Sequence, residues 1–407
     1  LEKSQYKFAT KVKKKGEGIM KKVREVTKRV LVACVLLAAV SCATGSVSDR
    51  TSDWDITIPT GKMAVIAATN WMDPVGSLAS LDTASNYAAT LALTTTDGSD
   101  VVLRSFFGKI YVINRFGTDT IQVVNPSTFG VVADYSVGKG SNPQDIWVVS
   151  DEKAYVTRLD AQNDASGSED ILIINPVTGA RQGAIDLKSY MYDDGEQLSR
   201  AAQMVAFDKK LFVCLQDLPA NLMNPANAGG KVAVIDTETD SLIKVIELSG
   251  RNPADITYSP LTRLVYVSNS GVFNNFVTDV TDPYGGIEVI DPILLESRGI
   301  VVDDANLGGY PSEIRLASDV LGFVVVGGMS IASFDPTSYD VFNKSFYTIA
   351  GFYLPDFSID DQGNLLVTET SAATPGIVVL DADDGSVVAG PIAVGATPSS
   401  ITFVDVE

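Results

Sequence analysis

The chain has 407 residues, is 45% hydrophobic and 20% charged, carries a formal net charge of −19 and contains no histidine. Such a composition can bury a large core, and the missing histidine excludes a Ser-His-Asp triad, a Cys-His dyad, a His-ligated haem and the usual His-based zinc or copper site. The charge is uneven: residues 1–42 hold 11 Lys/Arg against 3 Asp/Glu, and the other 365 hold 20 against 47, a net of −27, so the body repels nucleic acid and anionic membrane surfaces.

In chain order, residues 1–19 read as an upstream or non-native extension ahead of Met20. Residues 20–42 read as a signal peptide. Lys21, Lys22, Arg24, Lys28 and Arg29 form a basic start, and Val30 to Val40 is an apolar run too short to span a bilayer as a helix. Ala39-Val40-Ser41-Cys42 resembles a bacterial lipobox, with Ala39 where Leu is usual. The resemblance implies lipidation of Cys42 and a place on the outer membrane or cell surface. The rival reading is cleavage after Ala43 and a soluble periplasmic or secreted protein. Residues 43–55 are small and polar and read as a flexible tether. Cys34 departs with the signal, and Cys214, in LFVCL, reads as a buried small hydrophobe. No disulfide framework is available, so the body depends on its own core.

From residue 56 to 407 the chain repeats one phrase. A Pro-led run comes first: NPQDIWVV, NPADITYS, YPSEIRLA, LPDFSIDD, TPSSITFV. A strong apolar run follows: KIYVINR, KAYVTRL, KLFVCLQ, LVYVSNS, LGFVVVG, NLLVTET. A third run ends in an Asn or Asp turn, as in IQVVNPST and VAVIDTET, and a fourth closes the unit. Short runs rich in Val, Ile, Tyr and Phe, bounded by Gly, Pro, Asn and Asp, are strands. Four in sequence form an antiparallel meander that must stack on its neighbours, and the array closes into a ring. Six units run from Lys109. The final ATPSSITFVDVE has only a first strand, and KMAVIAATNWM near the start has a second strand with no Pro-led partner. Joined, they complete a seventh blade. The expected fold is therefore all-β: a seven-bladed β-propeller of four-stranded antiparallel blades, closed by the terminal strands.

YVIN (Tyr111–Asn114), YVTR (Tyr155–Arg158) and YVSN (Tyr266–Asn269), with the Gly-x-x-Pro lead-ins GSNP, GRNP and GATP, resemble the YVTN-repeat β-propellers. That resemblance implies an exported seven-bladed protein and is specific for fold, not for activity.

Propeller geometry points to one surface. The loop leading into each first strand and the loop between second and third strands share a face. Several of these loops are long and carry aromatics, Trp71, Tyr190, Tyr192, Phe273, Phe276 and Tyr284, beside Asn and Asp. They suit a protein or glycan ligand, or they shield one another as small loop cores. At the channel mouth, the second residue after each Pro is Asp145, Asp255 and Glu313, matched in the other blades to Asp100, Gln203, Phe357 and Ser400. Carboxylates so placed either hold a divalent cation such as Ca²⁺ or bond to backbone amides and staple adjacent blades. The blade 2 loop, with Asp160, Asn163, Asp164, Glu169 and Asp170, offers a second oxygen-rich place for Ca²⁺. LDADDGS (Leu380–Ser386) reads as a turn.

Two function classes follow. The first is a non-enzymatic envelope lipoprotein, monomeric and without a cofactor, that binds or scaffolds an envelope protein or a glycan and meets the membrane only through its lipid anchor. The second is a divalent-cation-dependent hydrolase or lactonase using the channel carboxylates. No Walker loop, dinucleotide fingerprint, CxxC or GxSxG occurs.

Overall fold

The structure, a computed structural model, describes residues 62–70, 72–192, 197–219, 229–274, 277–278 and 283–405. The chain divides into two units, Leu1–Asp53 and Trp54–Glu407, and all the described residues belong to the second. The extension, the signal segment, Cys42 and the tether lie outside the described residues.

Among the described residues of the second unit stand seven four-stranded antiparallel sheets and two two-stranded ribbons. Blade 2 shows the pattern: Pro143–Ser150, Lys153–Arg158, Ile171–Ile174 and Arg181–Ile185 pair in sequence order from the channel outward. Blade 7 joins the ends of the chain. Its first strand is Thr397–Val404 and its second is Met63–Thr69, paired from Met63↔Val404 to Thr69↔Thr397. The split repeat closes the ring as the sequence predicts.

The core is not one mass but seven. Each cluster of buried apolar side chains lies between two consecutive blades. Tyr155, Ile171 and Ile173 of blade 2 meet Met204, Leu211 and Val213 of blade 3. Ile401 and Phe403 of blade 7 meet Leu366, Ile377 and Val379 of blade 6, while Val404 faces Leu103, Ile110 and Val112 of blade 1. An alternating strand presents one face to each neighbour, so every blade serves two junctions. Cys214, fully buried between blades 3 and 4, is one more apolar contact there; burial pushes its thiol well above the ordinary value.

The recurring letters have local physical causes. Each third strand ends in Asn or Asp because that side chain accepts backbone N–H groups two and three residues on: Asn125 from Ser127 and Thr128, Asp236 from Glu238 and Thr239, Asp291 from Ile293 and Leu294. Asp381 likewise accepts from Asp383 at 2.8 Å, so LDADDGS is a turn. Two of the signature tyrosines cross a blade boundary. The Tyr266 hydroxyl donates to the Pro336 carbonyl of blade 5 at 2.9 Å, and that of Tyr155 donates to Asp240 of blade 3. The lead-in glycine answers the signature asparagine: a Cβ on Gly250 would lie 2.3 Å from the Asn269 amide carbon. Asn142 and Asn252, each before Pro, take positive φ of 51° and 54°, which Asn tolerates better than other side chains.

One face, here the upper, carries the lead-in loops and the loops between second and third strands. Hairpins between first and second strands and the Asx turns form the lower face. Met63 and Val404 both lie at the lower end of blade 7.

Candidate functional site

First strands line the channel, and three aspartates link them in pairs. Asp145 Oδ2 accepts the Met204 N–H of blade 3 at 2.9 Å, Asp255 Oδ2 the Ile314 N–H of blade 5 at 3.0 Å, and Asp356 Oδ2 the Ile401 N–H of blade 7 at 2.8 Å. Ser400 Oγ accepts the Leu103 N–H of blade 1 in the same way, at 3.1 Å. These are the blade staples that the sequence allows.

This geometry corrects two alignments. In blade 1 the residue ahead of the stapled N–H is Val102, so Asp100 stands outside the ring and pairs with Arg115 at 2.5 Å. In blade 6 the channel residue is Asp356, not Phe357. Blades 2 and 4 have a register shift between Pro and Asp, at Pro143/Asp145 and Pro253/Asp255. Blade 6 has no residue between Pro355 and Asp356, and Asp356 N–H donates to Thr368 Oγ1 as Asp255 N–H does to Ser268 Oγ.

The carboxylates converge, but on arginines. Arg104 Nε meets Asp145 Oδ1 at 2.7 Å, and its Nη2 donates to Gln203 Oε1 at 2.7 Å. Arg315 reaches Asp255 at 2.6 Å, Glu313 at 3.0 Å and Asp356 at 3.3 Å, with the Phe357 ring 5.8 Å away. Neither arginine is expected from the repeat, since charge inside one strand reads as surface. Their signal is positional: Arg104 and Arg315 occupy the first-strand site held elsewhere by Trp147, Val205, Thr257, Ser358 and Thr402.

Burial in the channel opposes the charge of Asp145 and raises its pKa despite Arg104; Asp356 is raised for the same reason despite Arg315. Glu313 is held well above the usual carboxylate range by burial and by the neighbouring Asp255 and Asp356, which outweigh Arg315. Its side chain keeps a quarter of its surface open to the channel. Arg104 and Arg315 also lose hydration, but the surrounding acids more than offset this and raise their pKa values. A carboxyl with a raised native pKa binds protons that the unfolded chain has released, so its presence lowers stability as pH rises from the ordinary carboxylate range through the native value. Glu313→Gln should therefore melt above the wild type at pH 8, with the gap shrinking toward pH 5. A gap independent of pH, measured by thermal melts across that range, would contradict the assignment.

A cavity of about 120 Å³ opens here, lined by Arg104, Gln203, Glu313, Arg315, Tyr353 and Asp356, with Asp100 and Arg115 at its rim. Burial, then the Glu313 charge, pushes the Tyr353 hydroxyl up to about 12. The Leu354 N–H donates to the Gly328 carbonyl at 2.8 Å, tying this lead-in loop to blade 5.

Among the predicted loop aromatics, Tyr190 and Tyr192 are exposed, and Tyr284 lies half-buried with the Arg251 guanidinium 3.6 Å from its ring centroid. Trp71 and Phe276 lie outside the described residues, and of Phe273 only the backbone is described. Two other aromatics flank lining residues in sequence: Phe116, next to Arg115, is 79% exposed, and Phe352, next to Tyr353, is 71% exposed.

The blade 2 loop carries its own cation. Arg158, fully buried, pairs with Asp164 at 2.7 Å and donates to the Gly167 and Glu169 carbonyls at 2.8 and 3.0 Å. The other acids are separately engaged: Asp160 by Arg200, Glu169 by Arg181, Asp170 by the Ser199 hydroxyl and the Leu187 N–H. Among the described residues, no three acidic or thiol groups stand together as a metal site.

No family model matches the chain, and no curated protein matches it. Solved structures do. A protein from Bacteroides fragilis described as a candidate 6-phosphogluconolactonase is 15% identical, covering 88% of this chain and 100% of that one with a TM-score of 0.58. A counterpart so described from Bacteroides uniformis is 13% identical, covering 84% and 99%, at 0.57. A protein of unknown function from Desulfotomaculum acetoxidans is 12% identical, covering 85% and 100%, at 0.56. At these identities the likeness is of fold alone: the chain is a seven-bladed β-propeller.

Proposed function

We propose that this chain is a non-enzymatic binding or scaffold propeller of the bacterial envelope, holding a protein or glycan partner on its upper face. In this reading the signal segment exports it, Cys42 carries the lipid anchor and the ring acts as a monomer without a cofactor. The observation that supports it is the pairing inside the channel. Asp145, Asp255 and Asp356 each accept a backbone amide and an arginine, so the acids act as structural links, while Phe116 and Phe352, next in sequence to the lining residues Arg115 and Tyr353, are exposed on loops of the same face. Phe116→Ala with Phe352→Ala should cut recovery of a cross-linked envelope partner at least ten-fold (about 1.4 kcal/mol). Leu261→Ala with Ile293→Ala, on the lower face, should leave recovery unchanged. Equal recovery from both variants would sink the face assignment.

The alternative, a divalent-cation-dependent hydrolase or lactonase, has one observation in its favour: Glu313 is a carboxyl with raised proton affinity in a cavity open to solvent. Calorimetry with Ca²⁺ separates the two. We expect no heat and no change in melting temperature. Heat in the wild type that is absent from the Asp145→Asn/Asp255→Asn variant would favour the enzyme.

A further inference from the structure

The upper half of the channel is built to take a small ligand that is uncharged and rich in hydroxyls. Its lining carries three arginines (Arg104, Arg115, Arg315) and three acids (Asp100, Glu313, Asp356), and each of these acids touches one of the arginines. Asp145 and Asp255 stand directly behind Arg104 and Arg315. An anion therefore finds its arginines already neutralised, and a cation finds its carboxylates already paired.

What the cavity still offers is hydrogen bonding. Among the described residues, the Gln203 amide nitrogen and the Tyr353 hydroxyl have no hydrogen-bond partner, although Gln203 Oε1 is fixed by Arg104 at 2.7 Å. That bond orients the free NH₂ of Gln203. Glu313, Asp356 and the guanidinium edges add planar donors and acceptors around the same space. Such fixed, planar groups match the donor-and-acceptor hydroxyls of a sugar ring, while a lone metal ion or a flexible aliphatic ligand would leave them unsatisfied.

Size and rim agree with this. A volume of about 120 Å³ admits the hydroxyl-bearing edge of one terminal residue, the rest of the ring standing in the open mouth, and not a folded loop. Tyr353, 44% exposed, lines it, and Phe352 and Phe116, next in sequence to the lining residues Tyr353 and Arg115, are exposed on loops of the same face, apolar surface on which the next residue can rest.

We propose that the channel mouth binds the terminal residue of a neutral glycan, with Gln203, Glu313, Arg315 and Tyr353 bonding its hydroxyls and Phe116 and Phe352 covering the residue behind it. This rests on the binding-propeller reading and narrows its partner to a saccharide end.

The test is an array of defined oligosaccharides with neutral non-reducing ends, probed with the full chain and confirmed by calorimetry on the best ligand. The expected result is binding to a restricted set, weakened at least ten-fold in Gln203→Ala and in Tyr353→Phe, and unaltered in Ile293→Ala. Tyr353→Phe keeps the ring and removes only the hydroxyl, so folding is not at issue, and melting curves check Gln203→Ala. No neutral glycan bound, or full affinity in both channel variants, overturns the proposal. If the array is blank but the Phe116/Phe352 variant still loses a protein partner, the binding-propeller reading stands and the glycan end is wrong. Binding only to acidic glycans would also overturn it, since it would require a cationic mouth.

Discussion

Ending the chain after Gly395 should leave no folded propeller. The removed segment includes Thr397–Val404, the first strand of blade 7, which pairs along the whole of Met63–Thr69. Its side chains serve two junctions: Ile401 and Phe403 toward blade 6, Val404 toward blade 1, each at most 5% exposed. Losing a large buried side chain costs about 2–5 kcal/mol, so three of them rival the roughly 5–15 kcal/mol that holds a whole domain folded. Asp356 also loses the Ile401 N–H, and Leu103 loses its bond to Ser400. The truncated chain should show no cooperative melt and should be digested by protease at concentrations the full chain survives. Adding the missing strand as a separate peptide should restore part of the resistance. A truncated chain with a sharp, near-normal transition would show that six blades and a remnant suffice.

Arg158→Met, at the end of the second strand of blade 2, is expected to be strongly destabilising. The guanidinium is wholly buried and joins Asp164, Gly167 and Glu169 in one network. Methionine fills much of the volume but leaves Asp164 Oδ2 and two carbonyls without the guanidinium, Ser166 still donating to Asp164 Oδ1. Removing one partner of a buried pair costs about 3–5 kcal/mol. Burial lowers the Arg158 pKa against the pull of Asp164, a sign that desolvation is the large opposing quantity here. Asp164→Asn should soften the loss, so the double variant should be less destabilised than the two singles added together. Urea unfolding gives the energies, and hydrogen exchange over residues 159–170 should rise before the blades open. A change under about 1 kcal/mol would mean that the pair behaves as a surface ion pair.

The fold was legible because its causes are local and repeat. An Asx turn needs Asn or Asp at one position in every blade, and a blade boundary needs alternating apolar side chains, so both leave a period that can be counted. Ring closure was legible for the same reason, from what was missing at each end. The channel was only partly so. Counting two residues after Pro reaches Asp145, Asp255 and Glu313 but misses in blade 6, where Asp356 follows Pro355 directly, and blade 1 has no Pro to count from. Arg104 and Arg315 give no periodic signal, and their meaning depends on acids contributed by other blades. Loop length drew attention to blades 2 to 4, yet the long blade 2 loop is filled from inside by Arg158. Phe116 and Phe352 stay exposed on loops that length does not single out.

Both ends of the ring leave by the lower face, at Met63 and Val404. Anything that pulls on the chain ahead of Lys62 therefore draws on a strand with a partner on either side, Ser77–Asp82 and Thr397–Val404. Antiparallel hydrogen bonds run across the strands, so a force along Met63–Thr69 strains both rows in shear, all at once, instead of peeling them singly. A pull on Met63 against a load held at the upper face would tension blade 7 lengthwise, the direction in which a sheet yields least. The seam where the circle is joined is then also the place best suited to be held.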